Sequence, residues 1–354
     1  MDMIRAAVVG ASGYSGEELV RLLLGHHQVE LAAATSRQYS GQTVAQVFPR
    51  FGGCEGAQRL RFCEPNPELI ARQAQVAFLA LPHGVAAELA VPLLELGCRV
   101  IDLSADFRLR SAAVYREYYG HEHPAPELLA RAVYGLPEWY GEAIGRASLV
   151  AAPGCYPTSI LLPLIPLLRS GLIKPEGIIA DSLSGVSGAG RKAELDYLFV
   201  ECNESLRPYG LPKHRHLSEI EQELSLAAGA PVVIQFTPHL VPVSRGILTT
   251  LYAAPGRRWD GEAGMGRFGE EVAACYQAAY GGWAGIRLLS GKALPDTKNV
   301  VGTNSVEIGW RLDPRTGRLL VMSAIDNLAK GAGGQAIQCA NLMFGLEANA
   351  GLPL

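Results

Sequence analysis

Gly10-Ala-Ser-Gly13-Tyr-Ser-Gly16 is the feature that most restricts how this chain can fold. It follows a short strand-like run, Ile4–Val9, and opens a segment of helical periodicity, 16–25. A glycine loop between a strand and a helix lets backbone N–H groups approach a pyrophosphate, with the helix dipole adding to the attraction. Gly10, Ser12, Gly13, Tyr14, Ser15 and Gly16 are therefore candidates for dinucleotide binding. The second strand, Val29–Thr35, ends about 20 residues past the last glycine, where an acidic side chain would hold a ribose 2′-hydroxyl. Thr35, Ser36 and Arg37 stand there instead, and two hydroxyls with a guanidinium suit a 2′-phosphate, so NADP(H) is expected over NAD.

The alternation continues through the first 150 residues. Segments 59–63, 76–81 and 99–103 read as further strands, with a helix over 84–96. Continuous apolar strands separated by amphipathic helices predict an α/β fold, a doubly wound parallel sheet covered on both faces. After Pro153 the pattern changes. Helices at about 157–170 and 217–226 alternate with β-rich stretches 232–254 and 302–325, and Asp313-Pro-Arg-Thr-Gly317 fits a hairpin loop. This predicts a second, α+β domain with helices on one face of a mixed sheet. A chain of 354 residues is long enough for two cores. The expected division is 1–152 for the nucleotide domain and 153–325 for the catalytic domain. The C-terminal part, 326–354, with a helix near 331–345, returns to the first domain.

A formal charge of −3 argues against nucleic-acid or membrane-surface partners, which call for a basic excess. No apolar run approaches a membrane span, since 158–168 is short and broken by Pro163 and Pro166. No leader is expected ahead of the first strand, and the seven cysteines show no CxxC spacing. The expectation is a cytoplasmic enzyme with reduced thiols and no metal.

Ala152-Pro-Gly-Cys155-Tyr-Pro-Thr158 lies between a strand and a helix opened by Pro157. A cysteine there feels the helix N-terminus, which favours thiolate and can also supply an oxyanion hole. Cys98, Cys275 and Cys339 read as structural. A thioester mechanism needs a group that takes the thiol proton and later protonates the oxyanion. Lys213-His-Arg-His216 offers His216, with Glu219 to orient it, and His214 as the competitor. His26 and His27 read as surface residues of a helix end, His121 and His123 as loop residues. Pro82 and His83, beyond the carboxyl end of a parallel strand, read as a wall beside the nicotinamide. Ser184-Gly-Val-Ser-Gly188-Ala-Gly190-Arg-Lys192 can cradle an anion through its backbone, with Ser184, Arg191 or Lys192 as contacts. Arg108 ends another parallel strand and is expected to face the cleft.

Together these runs resemble the N-acetyl-gamma-glutamyl-phosphate reductase family over essentially the whole chain. The runs that carry the resemblance are Gly10–Gly16, Leu103–Arg108, Pro153–Thr158, Ser184–Arg191, His214–His216 with Glu219, and Asp326-Asn-Leu-Ala-Lys-Gly-Ala-Gly-Gly334. The family is related to aspartate-semialdehyde dehydrogenase. The resemblance implies a Rossmann domain plus a glyceraldehyde-phosphate-dehydrogenase-like catalytic domain. It implies Cys155 as nucleophile, a base from the His-Arg-His run, NADPH as hydride donor, and a nicotinamide pocket lined by Ser187, Gly188 and Asn327. It also implies a homodimer or homotetramer acting in arginine biosynthesis on a small acyl phosphate.

Two other readings compete. A reductase of lysine or arginine biosynthesis with a carrier-linked acyl group is similar throughout, but its nucleophile run differs at Tyr156-Pro-Thr158. A dinucleotide-sensing regulator would keep Gly10–Gly16 without needing Cys155 and His216 together.

Overall fold

The computed structural model describes residues 3–191 and 193–354. The chain divides into two compact units. One runs to Gly154 and resumes over Ala332–Pro353; the other is Cys155–Gly331.

The first unit is built on seven parallel strands: β1 (Ile4–Val9), β2 (Val29–Thr35), β3 (Phe62–Cys63), β4 (Val76–Leu79), β5 (Arg99–Asp102), β6 (Val133–Tyr134) and β7 (Leu149–Ala151). Their order is β3-β2-β1-β4-β5-β7-β6. Successive β1 side chains enter opposite cores, Ala6 and Val8 one, Ala7 and Val9 the other. This is why the strand is apolar without alternation: both faces are covered. Helix Tyr14–Leu24 packs Leu19, Leu22 and Leu23 into the first core. Helix Gly334–Met343 returns to the same core with Ile337, Cys339 and Met343.

The second unit holds a mixed sheet, β12-β13-β14-β11-β8-β10-β9. Its strands are β8 (Ile179–Gly185), β9 (Arg207–Pro208), β10 (Gln235–Val241), β11 (Ile247–Ala253), β12 (Ile286–Leu289), β13 (Val306–Asp313) and β14 (Arg318–Ile325). The expected hairpin joins β13 to β14 as an antiparallel pair. Helix Cys155–Arg169 is buried from Tyr156 to Leu168 and packs on β11 and β14. Its two interior prolines each remove an N–H and so free the carbonyl four residues earlier. The Ser323 hydroxyl donates to the Ser159 carbonyl freed by Pro163 (2.6 Å), and the Tyr280 hydroxyl to the Leu162 carbonyl freed by Pro166 (2.5 Å). The prolines are thus accommodated inside the buried stretch of the helix.

Several sequence expectations shift. Segment 59–63 is a strand only at β3, because Arg59 ends a short helix, Glu55–Arg59. The helix expected from Pro157 starts at Cys155. Helix Gly261–Tyr280 was not anticipated; its glycines interrupt a face that buries Phe268, Val272, Tyr276 and Tyr280. His26 is buried rather than on the surface. Its Nδ1 accepts from the Gln28 and Val29 N–H groups (3.1 and 3.0 Å), and burial lowers its pKa below the ordinary imidazole value. His123 lies in a loop but is buried, its Nδ1 accepting from the Ala125 N–H. Cys98 and Cys339 are buried; Cys275 is half-buried.

Candidate active site

In the first unit, the strand order reverses at β1, with β2 on one side and β4 on the other. Such a switch point opens a crevice at the strands' carboxyl ends. Gly10 lies there with φ +83°, and a Cβ on it would sit 2.3 Å from the Ala80 carbonyl oxygen. A Cβ on Gly16 would meet the Gly10 carbonyl oxygen at 2.3 Å. Both positions require glycine. At Gly13 a Cβ would meet only the Gly10 oxygen, at 3.7 Å. Gly13 caps helix Tyr14–Leu24 with no side-chain hydrogen bond to its first N–H groups. That geometry fits a pyrophosphate, which accepts from such groups.

The loop is tied to the end of β2. The Gly10 N–H donates to the Thr35 hydroxyl (3.2 Å), the Ala11 N–H to the Thr35 carbonyl (2.9 Å), and the Ser36 hydroxyl to that of Ser12 (3.0 Å). Thr35 and Ser36 are buried and Arg37 is exposed. His83 accepts the Ala105 N–H at Nδ1 (3.1 Å) and meets the Tyr119 ring edge-on. Pro82, beside it, is exposed. Arg108 is buried: its guanidinium donates to the carbonyls of Ala152 (2.8 Å) and Leu103 (2.9 Å). Those bonds give it a role in holding the ends of β5 and β7.

The second unit contains a cavity of about 310 Å³. Cys155, Tyr156, Ser184, Gly188, His214 and His216 line it, so the glycine-rich loop after β8 and the His-Arg-His run converge on the cysteine. Cys155 is the first residue of its helix and half-buried. His214, Tyr156 and His216 form an aromatic cluster, with ring centroids 5.0 Å apart between the histidines and 5.7 Å between Tyr156 and His214. Tyr156 accepts the Tyr209 hydroxyl at 2.9 Å. Burial pushes both phenols well above their usual range.

The two histidines are distinguishable. His214 Nδ1 accepts the His216 backbone N–H (3.1 Å), which in the neutral ring leaves the proton on Nε2. Burial, helped by the Arg215 charge, lowers its pKa to about 4. His214 is therefore neutral at ordinary pH, with its Nε2–H as a donor. His216 opens helix His216–Ala228 and faces the cavity. Glu219 is buried one turn further along the helix.

Ser187 and Asn327 meet directly: the Asn327 amide donates to the Ser187 hydroxyl (2.9 Å) and accepts the Gly246 N–H (2.8 Å). Arg191 is exposed, and Lys192 lies outside the described residues. The cationic lining that the sequence did not single out is Arg207 and Arg215. Arg207 is held by the Asp196 carbonyl (2.7 Å). Arg215 was legible by position alone, between the two histidines. Among the described residues no group of three His, Cys, Asp or Glu is placed to hold a metal, and no helix is long and apolar enough to cross a membrane.

Residues 155–327 match the semialdehyde dehydrogenase dimerisation domain, and residues 5–147 the semialdehyde dehydrogenase NAD binding domain. N-acetyl-gamma-glutamyl-phosphate reductase from Akkermansia muciniphila is 58% identical over 353 residues, covering 99% of each chain. The chain belongs to the N-acetyl-gamma-glutamyl-phosphate reductase family. The reductase of that name from Moorella thermoacetica is 51% identical over 97% of this chain and 96% of its own. At the level of fold, aspartate semialdehyde dehydrogenase II from Vibrio cholerae superposes with a TM-score of 0.73 at 20% identity, over 98% of this chain and 99% of that one.

Proposed function

We propose that this chain reduces N-acetyl-L-glutamyl 5-phosphate to N-acetyl-L-glutamate 5-semialdehyde and phosphate, with NADPH and through a Cys155 thioester. The observation that carries the reading is the convergence of Cys155, His216 and two arginines on one cavity, in a chain 58% identical to a reductase of that name.

His216 takes the Cys155 proton, and the helix N-terminus stabilises the resulting anion. The thiolate attacks the acyl carbonyl and phosphate leaves, so one hard reduction becomes two easier steps. NADPH, when bound, supplies hydride to the thioester carbonyl. The His214 Nε2–H and the first N–H groups of the helix are the donors available to the oxyanion. His216 returns its proton to that oxygen, and the thiohemiacetal collapses to aldehyde and thiol. Glu219 is the residue proposed to orient His216. The substrate carries two anionic groups, and Arg207 and Arg215 supply the cations, with Ser184 as a neutral contact. Arg191 is a further proposed contact, and Lys192, outside the described residues, is one by sequence alone. Arg108, committed to backbone carbonyls, acts by holding strand ends.

Coenzyme binding falls to Gly10, Ser12, Gly13, Tyr14, Ser15 and Gly16 for the pyrophosphate, and to Thr35, Ser36 and Arg37 for the 2′-phosphate. Pro82, His83, Ser187, Gly188 and Asn327 are the proposed nicotinamide contacts. The protein works as a homodimer or homotetramer in the cytoplasm.

The deciding experiment is the reverse reaction. Purified protein is expected to reduce NADP with N-acetylglutamate semialdehyde only when phosphate is present. Reduction without phosphate, or only with an acyl group tethered to a carrier protein, would reject the reading.

A further inference from the structure

Asp326 is fully buried, and its carboxylate collects hydrogen bonds from three separate segments. Oδ1 accepts the N–H groups of Leu328 (2.8 Å) and Ala329 (3.2 Å) and the Arg245 Nε–H (3.2 Å). Oδ2 accepts the Gly302 N–H (2.6 Å) and lies 2.9 Å from an Arg245 terminal nitrogen. Its own carbonyl accepts the Gly331 N–H (2.9 Å), closing a wide turn of the i→i+5 kind.

The turn ends against the nucleophile. A Cβ on Gly331 would fall 2.8 Å from Cys155 Cβ and 3.2 Å from its Cα. The neighbouring Asn327 holds the Ser187 hydroxyl and the Gly246 N–H. Gly185, Val186 and Ser187 in turn bond to Gly246, Val243 and Ser244 through their backbones. The glycine-rich loop, the segment after β10 and the rear wall of Cys155 are therefore fastened through one carboxylate and its arginine.

We propose that Asp326, with Arg245, is a positioning residue for Cys155: it folds residues 326–331 so that Gly331 sets the cysteine's place and Asn327 sets the Ser187 loop. This rests on Cys155 being the nucleophile. A carboxylate is required because both oxygens must accept. In Asp326→Asn one acceptor becomes an NH₂ group facing the Gly302 N–H and Arg245, donor against donor. The turn then reorganises within hydrogen-bonding distance of the reacting thiol. Neither residue lines the cavity, so ground-state substrate binding should be spared.

The test uses the whole protein, with steady-state kinetics beside iodoacetamide labelling of Cys155 followed by peptide mass. Asp326→Asn is expected to lower kcat about 100-fold, the scale of a small misplacement of reacting groups, with KM within about threefold of wild type. The Cys155 labelling profile against pH is expected to move. Because the aspartate is fully buried, Arg245, partly exposed, provides the second route. Arg245→Lys keeps a charged donor and is expected to retain about tenfold more kcat than Arg245→Gln, a split read at constant KM. Arginine variants within threefold of wild-type kcat, or a loss confined to KM, would overturn the proposal. Labelling does not require the reductase reaction. If wild-type protein reduces no acyl phosphate, the function reading fails, while an unmoved labelling profile in the variants sinks the positioning role by itself.

Discussion

At the residue scale, two histidines separated by one residue sit in different surroundings, and different chemical parts are expected of them. His214 receives a backbone N–H on Nδ1 and is pushed by burial to a pKa of about 4. It stays neutral across the range in which the enzyme would work. The acid limb of a pH–rate profile between about 5 and 8 should therefore belong to another group. His214→Asn is expected to lower kcat without moving that limb, whereas His216→Asn should slow Cys155 alkylation near neutral pH. Greater loss of alkylation in His214→Asn would transfer the role of base. The lowered pKa also fixes a stability sign. Protons bind the unfolded chain first, so the second unit should lose stability as pH falls from about 6.5 through about 4. Cys155→Ser should remove at least ~10³-fold of turnover, because an alkoxide forms far less readily than a thiolate. Retention of a tenth of the rate would refute covalent catalysis. Cys155 and the histidine run were legible in the sequence because helix entry and residue type announce them. Arg207 was not: it sits on β9, a two-residue strand with no periodicity, and only tertiary pairing brings it to the cavity.

At the element scale, glycines and prolines explain both what could be read and what could not. Gly10 and Gly16 leave no room for a Cβ, so the loop advertises itself. The same residue type hid helix Gly261–Tyr280, where glycines lower propensity while Phe268, Val272, Tyr276 and Tyr280 hold the buried face. Pro163 and Pro166 each remove a backbone N–H, yet helix Cys155–Arg169 continues, as the helix expected near 157–170 does, because hydroxyls from elsewhere replace the missing partners. That gives a measurable expectation. Tyr280→Phe leaves the Leu162 carbonyl buried without its hydroxyl donor and should cost roughly 1–3 kcal/mol in denaturant unfolding. A loss below about 0.3 kcal/mol would mean the freed carbonyl is satisfied otherwise. The β2 end offers a second test. Arg37→Ala should weaken NADPH by about 10- to 150-fold and leave NADH almost unchanged. Equal weakening of both coenzymes would place the 2′-phosphate elsewhere.

At the scale of the whole molecule, the second sheet is covered unevenly. Ser182, Thr249, Leu251, Val321 and Ser323 are fully buried on the face where the helices pack. The residues between them, Leu183, Leu248, Thr250, Tyr252, Leu320 and Met322, are only half-buried. The register pairs Leu248 with Leu183, Thr250 with Met322 and Tyr252 with Leu320, so they form one continuous face across β8, β11 and β14. An antiparallel sheet with one solvated face normally alternates apolar with polar. Here the outward positions are largely apolar, which the strand sequences alone do not explain. A second copy of this chain, meeting the face around a two-fold axis, would account for them, and residues 155–327 match a dimerisation domain. A stable interface needs about 1,000 Å² or more with an apolar centre, and charge at that centre is strongly unfavourable. Leu248→Glu with Met322→Glu should therefore sediment as a single 37.8 kDa chain, with native circular dichroism. The wild-type protein should sediment at twice or four times that mass. If the double variant keeps the wild-type mass, the association surface lies on another face.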